Sequence, residues 1–191
     1  VNVSGTINDA SDIDQFWTVE IAIPWESLLE ATNEKQPPEG ETWRLNFSRV
    51  EWDYELVNNK YYRKKDPQGK FLPEYNWVWS PQEVINMHEP ERWGFVHFNK
   101  KSANKNIPQF EYPEDAQLVL WMYEHYRKVL RSSGDKTDLK VKFPIKESHQ
   151  GNNLIMEQII NPKGYLLKTK SQKTGITYFI NQEGKLIVGE F

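Results

Sequence analysis

The hydrophobic period of this 191-residue chain switches from that of a strand to that of a helix and back, and this pattern constrains the fold most. Before residue 99 the patterned stretches, such as Phe16–Ile23 and Trp43–Phe47, place apolar residues at every second position, the period of a strand with one buried face. From residue 113 they follow helical spacing, then return to short alternating runs. This pattern predicts a mostly β chain in two parts. Residues 1–98 form a β-rich domain. Residues 99–112 form a linker that opens on the polar run Asn99-Lys-Lys-Ser-Ala-Asn-Lys-Asn106. Residues 113–191 form an amphipathic helix followed by a small antiparallel meander.

The individual elements follow from local pattern and punctuation. Residues 1–14 are a polar, turn-rich lead-in. In Phe16–Ile23, the residues Trp17, Val19, Ile21 and Ile23 point one way, so a half-buried strand is expected, ended by Pro24. Trp25–Ala31 suits one or two helical turns. Trp43, Leu45 and Phe47 share a face of a second strand that can extend to Trp52. Residues 53–75 read as a long loop or loose hairpin, 76–80 as a short strand, 81–91 as a loop and 93–98 as another strand. Pro113 suits a helix start and Gly134 lies past its end, which predicts a helix over Glu114–Ser132. The meander is expected at 154–160, 164–170, 176–181 and 185–188, with Asn181-Gln-Glu-Gly184 as a turn.

Composition excludes several functions. The net charge of -3 is small and mixed in sign, so no nucleic-acid partner is expected. No apolar run approaches the roughly 20 residues needed to span a bilayer. The absence of cysteine excludes disulfides, thiol catalysis and cysteine-ligated zinc. There is no Gly-x-Ser-x-Gly elbow, no His-Glu-x-x-His and no phosphate-cradling glycine loop, so the chain is expected to be non-catalytic. Half of its aromatic residues fall between 43 and 98. Such rings serve either a β core or a platform that stacks on the apolar faces of sugars.

Three segments resemble one family. Trp17-Thr-Val-Glu-Ile-Ala-Ile-Pro-Trp25 is similar to the "W-x-V-E-x-A-I-P-W" strand and turn of family 9 carbohydrate-binding modules and their bacterial relatives. Gly40-Glu-Thr-Trp-Arg-Leu-Asn-Phe47 resembles their next strand. Trp77-Val-Trp-Ser-Pro81, followed by His88-Glu-Pro-Glu-Arg-Trp-Gly94, resembles their closing segment. The resemblance implies an antiparallel, jelly-roll-like β-sandwich of about twice this length. A sandwich needs roughly seven strands, and residues 1–98 offer about four. The expectation is therefore that this chain holds the second half of the module, with the first half upstream. In the family a sugar sits between two tryptophans. One belongs to the absent half, and the position of the other falls here at Met87, beside His88, which departs from the pattern.

The expected function is non-catalytic binding of a glycan or polysaccharide, outside the cytoplasm (periplasmic, cell-surface or secreted). The candidate binding residues are Trp52, Tyr54, Tyr75, Trp77, Trp79, Asn86, Met87, His88 and Arg92. Tyr61, Tyr62, Arg49, Glu51 and Glu91 are further possibilities. Trp17, Trp25, Trp43 and Trp93 read as core. Asp9, Asp12 and Asp14 could ligate calcium, which relatives often bind, although their spacing is not that of an EF-hand. Partners other than the glycan would be the missing half or a glycan-processing enzyme. Two alternatives stand beside this reading. One is a haem-binding relative, in which Met87 or His88 would serve as a single axial ligand. The other is a structural or accessory part of a glycan-processing assembly.

Overall fold

The computed structural model describes residues 5–7, 9, 11–13, 15–16, 18–28, 39–99, 109–132, 141–149, 151–162 and 164–189. The chain is mostly β, its sheets are antiparallel, and it divides into two compact units, Val1–Asn106 and Ile107–Phe191. Among the described residues no helix is long and apolar enough to cross a membrane.

The first unit is built around one run of chain that changes partners. Strand β1 (Thr42–Leu45) and strand β2 (Ser48–Glu51) follow each other across Asn46 and Phe47. They pair with different strands: β1 with β6 (Gly94–His97), and β2 with β5 (Tyr75–Val78). The β2–β5 ladder continues past its formal end, because the Trp79 N–H donates to the Phe47 carbonyl at 3.1 Å. Beyond β1, the Phe98 N–H donates to the Glu41 carbonyl at 3.0 Å. Trp43 packs in a ring cluster with Trp25 and Phe98, at centroid distances of 5.8 and 5.0 Å. Trp25, Trp43 and Trp93 are half-buried, while Trp17 lies outside the described residues.

Residues 53–75 are more ordered than a loop. Strand β3 (Tyr54–Val57) and strand β4 (Lys60–Arg63) form a hairpin whose turn is Asn58-Asn59. Both asparagines have positive φ, 51° and 61°, the conformation of a type I′ turn, which matches the twist of the flanking strands. Past β4, the Asp66 carboxylate accepts from the N–H groups of Gln68 and Lys70 and closes a second turn. Polar composition hid both devices, since Asn and Asp act here through backbone conformation and side-chain caps.

The strand expected over Phe16–Ile23 does not form. Among its described residues none belongs to a ladder, and Val19, Ile21 and Ile23 are exposed. Alternation marks a face, but a strand also needs a neighbour for its N–H and C=O groups. Trp25–Leu28 is a single 3-10 turn, and Leu29–Ala31 lie outside the described residues. Three two-stranded pairs account for the described strands of this unit.

The second unit is one helix on one sheet. Helix α1 (Ala116–Ser132) lies against a five-stranded antiparallel meander: β7 (Ile145–His149), β8 (Asn152–Asn161), β9 (Gly164–Lys170), β10 (Thr177–Asn181) and β11 (Leu186–Val188). Leu118, Trp121, Met122, Tyr126 and Val129 form the buried stripe of the helix. They meet Leu154, Met156, Leu167 and Ile180 from alternate positions of the central strands. Sequence periodicity reveals four of these strands. It misses β7, whose Lys146, Glu147 and Ser148 are polar and exposed.

Candidate functional site

The first unit carries the aromatic face that sequence pattern left undecided between core and platform. On β5 and just past it, Tyr75, Trp77 and Trp79 sit at alternate positions and therefore on one side of the strand. Directly across the ladder stand Glu51 opposite Tyr75 and Arg49 opposite Trp77, and Arg49 and Glu51 are ion-paired with each other. Trp77 is 64% exposed, and the Arg49 guanidinium carbon lies 5.6 Å from its ring centroid. Trp79 is held more firmly. Its indole N–H donates to the Leu45 carbonyl at 3.0 Å, and its ring meets Phe47 edge-on at 5.7 Å. Gly94 is needed at that seat, because a Cβ there would stand 2.6 Å from a Trp79 ring carbon.

An open depression of about 1020 Å³ runs over Trp77 and Trp79, with Phe47, Val19, Ile21 and Ile23 on its walls. Asn46 also lines it. The Asn46 side-chain oxygen is buried and has no hydrogen-bond partner among the described residues. The site thus combines apolar rings with one cation–anion pair.

The other expected binding residues are distributed differently. Trp52 is half-exposed and anchored, its indole N–H donating to Glu74 at 3.1 Å, with Arg63 5.6 Å from its ring. Tyr54 lies on the hairpin, edge-on to Tyr61 at 5.0 Å, while Tyr62 falls on the opposite side of β4. Asn86, Met87, His88 and Arg92 are not on the aromatic face. Asn86, Met87 and His88 belong to the loop before β6, and Arg92 to the 3-10 turn Pro90–Arg92 that follows the loop. The Asn86 side-chain oxygen accepts from the His88 N–H at 3.1 Å, and the Met87 carbonyl accepts from the Trp93 indole at 2.8 Å. Arg92 pairs with buried Glu89 at 3.3 Å and reaches Glu83 at 3.9 Å. Met87 and His88 occupy a turn. Glu91 is buried; its charge acts on Arg44, whose guanidinium burial pulls below the usual arginine range.

Of the calcium candidates, Asp9 caps the Ser11 N–H at 2.9 Å and Asp12 accepts from the Thr6 hydroxyl at 2.7 Å. Asp14 lies outside the described residues. Among the described residues no group of three or more His, Asp or Glu side chains is placed to hold a metal ion.

Two polar clusters in the second unit carry no sequence signature. Asp115, immediately before α1, accepts hydrogen bonds from Ser171 at 2.6 Å, Thr174 at 2.5 Å and Tyr178 at 2.9 Å. Burial works against its charge, yet the three hydroxyls, with Lys173 nearby, hold its carboxyl below the usual aspartate range. Burial, with the hydrogen bond to that carboxylate, pushes the Tyr178 phenol up to about 12. The Glu147 carboxylate accepts from the Trp121 indole at 2.9 Å and lies 3.2 Å from His125. The indole bond leads in holding that carboxyl below its ordinary range. Both clusters tie the helix to the sheet.

A comparison with protein-family models, with curated proteins and with solved structures found no match to this chain.

Proposed function

We propose that the first unit is a non-catalytic carbohydrate-binding module with a jelly-roll-like fold of the family 9 type, acting outside the cytoplasm. The observation that carries the reading is Trp77. A tryptophan on a paired strand normally buries its ring, because that ring is the largest apolar surface a side chain offers. Trp77 instead presents its ring to solvent, beside a second fixed indole and a charged pair. Pyranose sugars match this set, with apolar C–H faces for the rings and hydroxyls for Arg49 and Glu51.

A polysaccharide and oligosaccharide array probed with the full chain tests the reading. Binding that disappears in Trp77→Ala and persists in Trp52→Ala is the expected result. An array that stays dark overturns it.

One observation favours a second reading. Val19, Ile21 and Ile23 add an aliphatic wall that a sugar does not need, and exposed apolar area of this kind is often closed by other polypeptide. In that reading the chain is a structural or accessory part of a larger assembly. The array stays dark, and the tryptophans become less open to acrylamide quenching only when a protein partner is added.

A further inference from the structure

The geometry points to a more specific ligand: we infer that the face takes an unbranched glycan lying lengthwise along β5, engaging three consecutive rings, rather than a single sugar at a chain end. This inference rests on the carbohydrate reading above and deepens it.

Tyr75, Trp77 and Trp79 occupy alternate positions of one strand and its hydrogen-bonded continuation, so their attachment points are about 6.5–7 Å apart. All three are exposed on the same side, at 49%, 64% and 47%. The β2–β5 ladder fixes the spacing of the row at four successive residue pairs, from Ser48–Val78 to Glu51–Tyr75. A site for one terminal sugar closes around its ligand, usually with rings on two sides. Here the rings follow one another along one side, so contact area accumulates only as the ligand lengthens.

The opposing strand repeats the register in polar form. Arg49 faces Trp77 and Glu51 faces Tyr75, so charged groups that pair with hydroxyls run parallel to the rings. This placement also argues for a hydroxyl-rich ligand over a dry protein contact, since closing an apolar partner over that ion pair would strip it of water. A branch pointing across the sheet towards β2 would meet the Arg49–Glu51 pair, so an unbranched chain fits the row of rings better.

The test uses the full, unmutated chain and a series from monosaccharide to hexasaccharide of whichever linear glycan the array identifies, titrated by calorimetry. Affinity is expected to rise roughly tenfold or more between the disaccharide and the tetrasaccharide and then level off. Tyr75→Ala is expected to weaken the tetrasaccharide by roughly tenfold while leaving the disaccharide nearly unchanged, and Trp77→Ala to weaken both. The length series needs no variant, so it decides the matter even if Tyr75→Ala misfolds. Equal affinity for monosaccharide and hexasaccharide, with Trp77→Ala still abolishing binding, overturns the lengthwise site and keeps the carbohydrate reading. Binding to no glycan overturns both.

Discussion

Asp115→Ala should loosen the second unit more than any other polar substitution in it. Asp115 is 8% exposed, and its carboxylate accepts three hydroxyl hydrogen bonds, which join the start of α1 to β10 and to the turn before it. A hydrogen bond to a charged acceptor contributes roughly 1.5–3 kcal/mol, and the three are not additive because they share one group. Loss of a negative charge at the helix N-terminus adds about 0.5 kcal/mol. Part is recovered because water can reach Ser171 through the adjoining cavity of about 240 Å³. Tyr178, buried, has no such recourse. The expected net loss is about 3–5 kcal/mol, a large share of the roughly 4–13 kcal/mol that a unit of this size commands. Hydrogen exchange across a urea series, followed peptide by peptide in the full chain, measures it on β9 and β10 directly. Asp115→Asn keeps the shape and part of the accepting capacity and should lose about half as much. The pH dependence supplies a second arm. Because the folded carboxyl is held below its ordinary value, its contribution is complete above about pH 4 and fades as pH falls through the depressed value. The Ala variant should lack this acid limb. A loss under about 1 kcal/mol, with the acid limb intact, would refute the assignment of Asp115 as the tie between helix and sheet.

Three further outcomes are expected. Gly94→Ala forces the Trp79 ring off its seat, so stability should fall by about 1–3 kcal/mol and glycan affinity should fall with it, read by thermal melting and calorimetry on one sample. In an alkaline titration followed by tyrosinate absorbance, one phenol should ionise near pH 12. Because Tyr178 is raised in the folded state, its contribution is complete below about pH 10 and is lost as pH rises towards 12. Asn59→Gly relieves a positive-φ position in a type I′ turn and should stabilise the β3–β4 hairpin by about 0.5–1 kcal/mol, seen as slower exchange of its amides.

What the sequence disclosed and withheld follows physical lines. The helix is legible because its apolar stripe repeats over many turns and its start is marked by Pro113; the structure begins it at Ala116. β9 and β10 are legible because buried residues dominate them, Leu167 and Ile180 among these. β7 is hidden because an edge strand with one neighbour can be polar on both sides. The β3–β4 hairpin is hidden because its turn is Asn-Asn, and only backbone φ reveals that the pair sits in the left-handed region. The converse case is Phe16–Ile23, where clean alternation does not make a strand, since pattern states which side faces inward and not whether a partner exists.

At the candidate site, the shared phase of Trp77 and Trp79 is visible in sequence, but their exposure is not, because the same alternation builds a core. Asn46 escapes notice for a related reason. It lies out of phase with Trp43, Leu45 and Phe47, and only the change of partner between β1 and β2 places it at the depression. Asn86, Met87, His88 and Arg92 lie before β6, away from the aromatic face, where the Asn86 and Arg92 side chains and the Met87 and His88 main chain make local bonds. The Asp115 and Glu147 clusters join residues far apart in the chain, which no local pattern encodes.

The most direct measurement is a nitrogen-15 correlation spectrum of the indole N–H groups, titrated with the glycan that the array selects. The chain has eight tryptophans, and Trp77→Phe and Trp79→Phe assign the two signals that matter. The account predicts that the Trp77 signal moves most, that of Trp79 moves with it at the same ligand concentration, and that of buried Trp121 stays where it is. A Trp77 signal unmoved at saturating glycan, with other indoles shifting in its place, would contradict it.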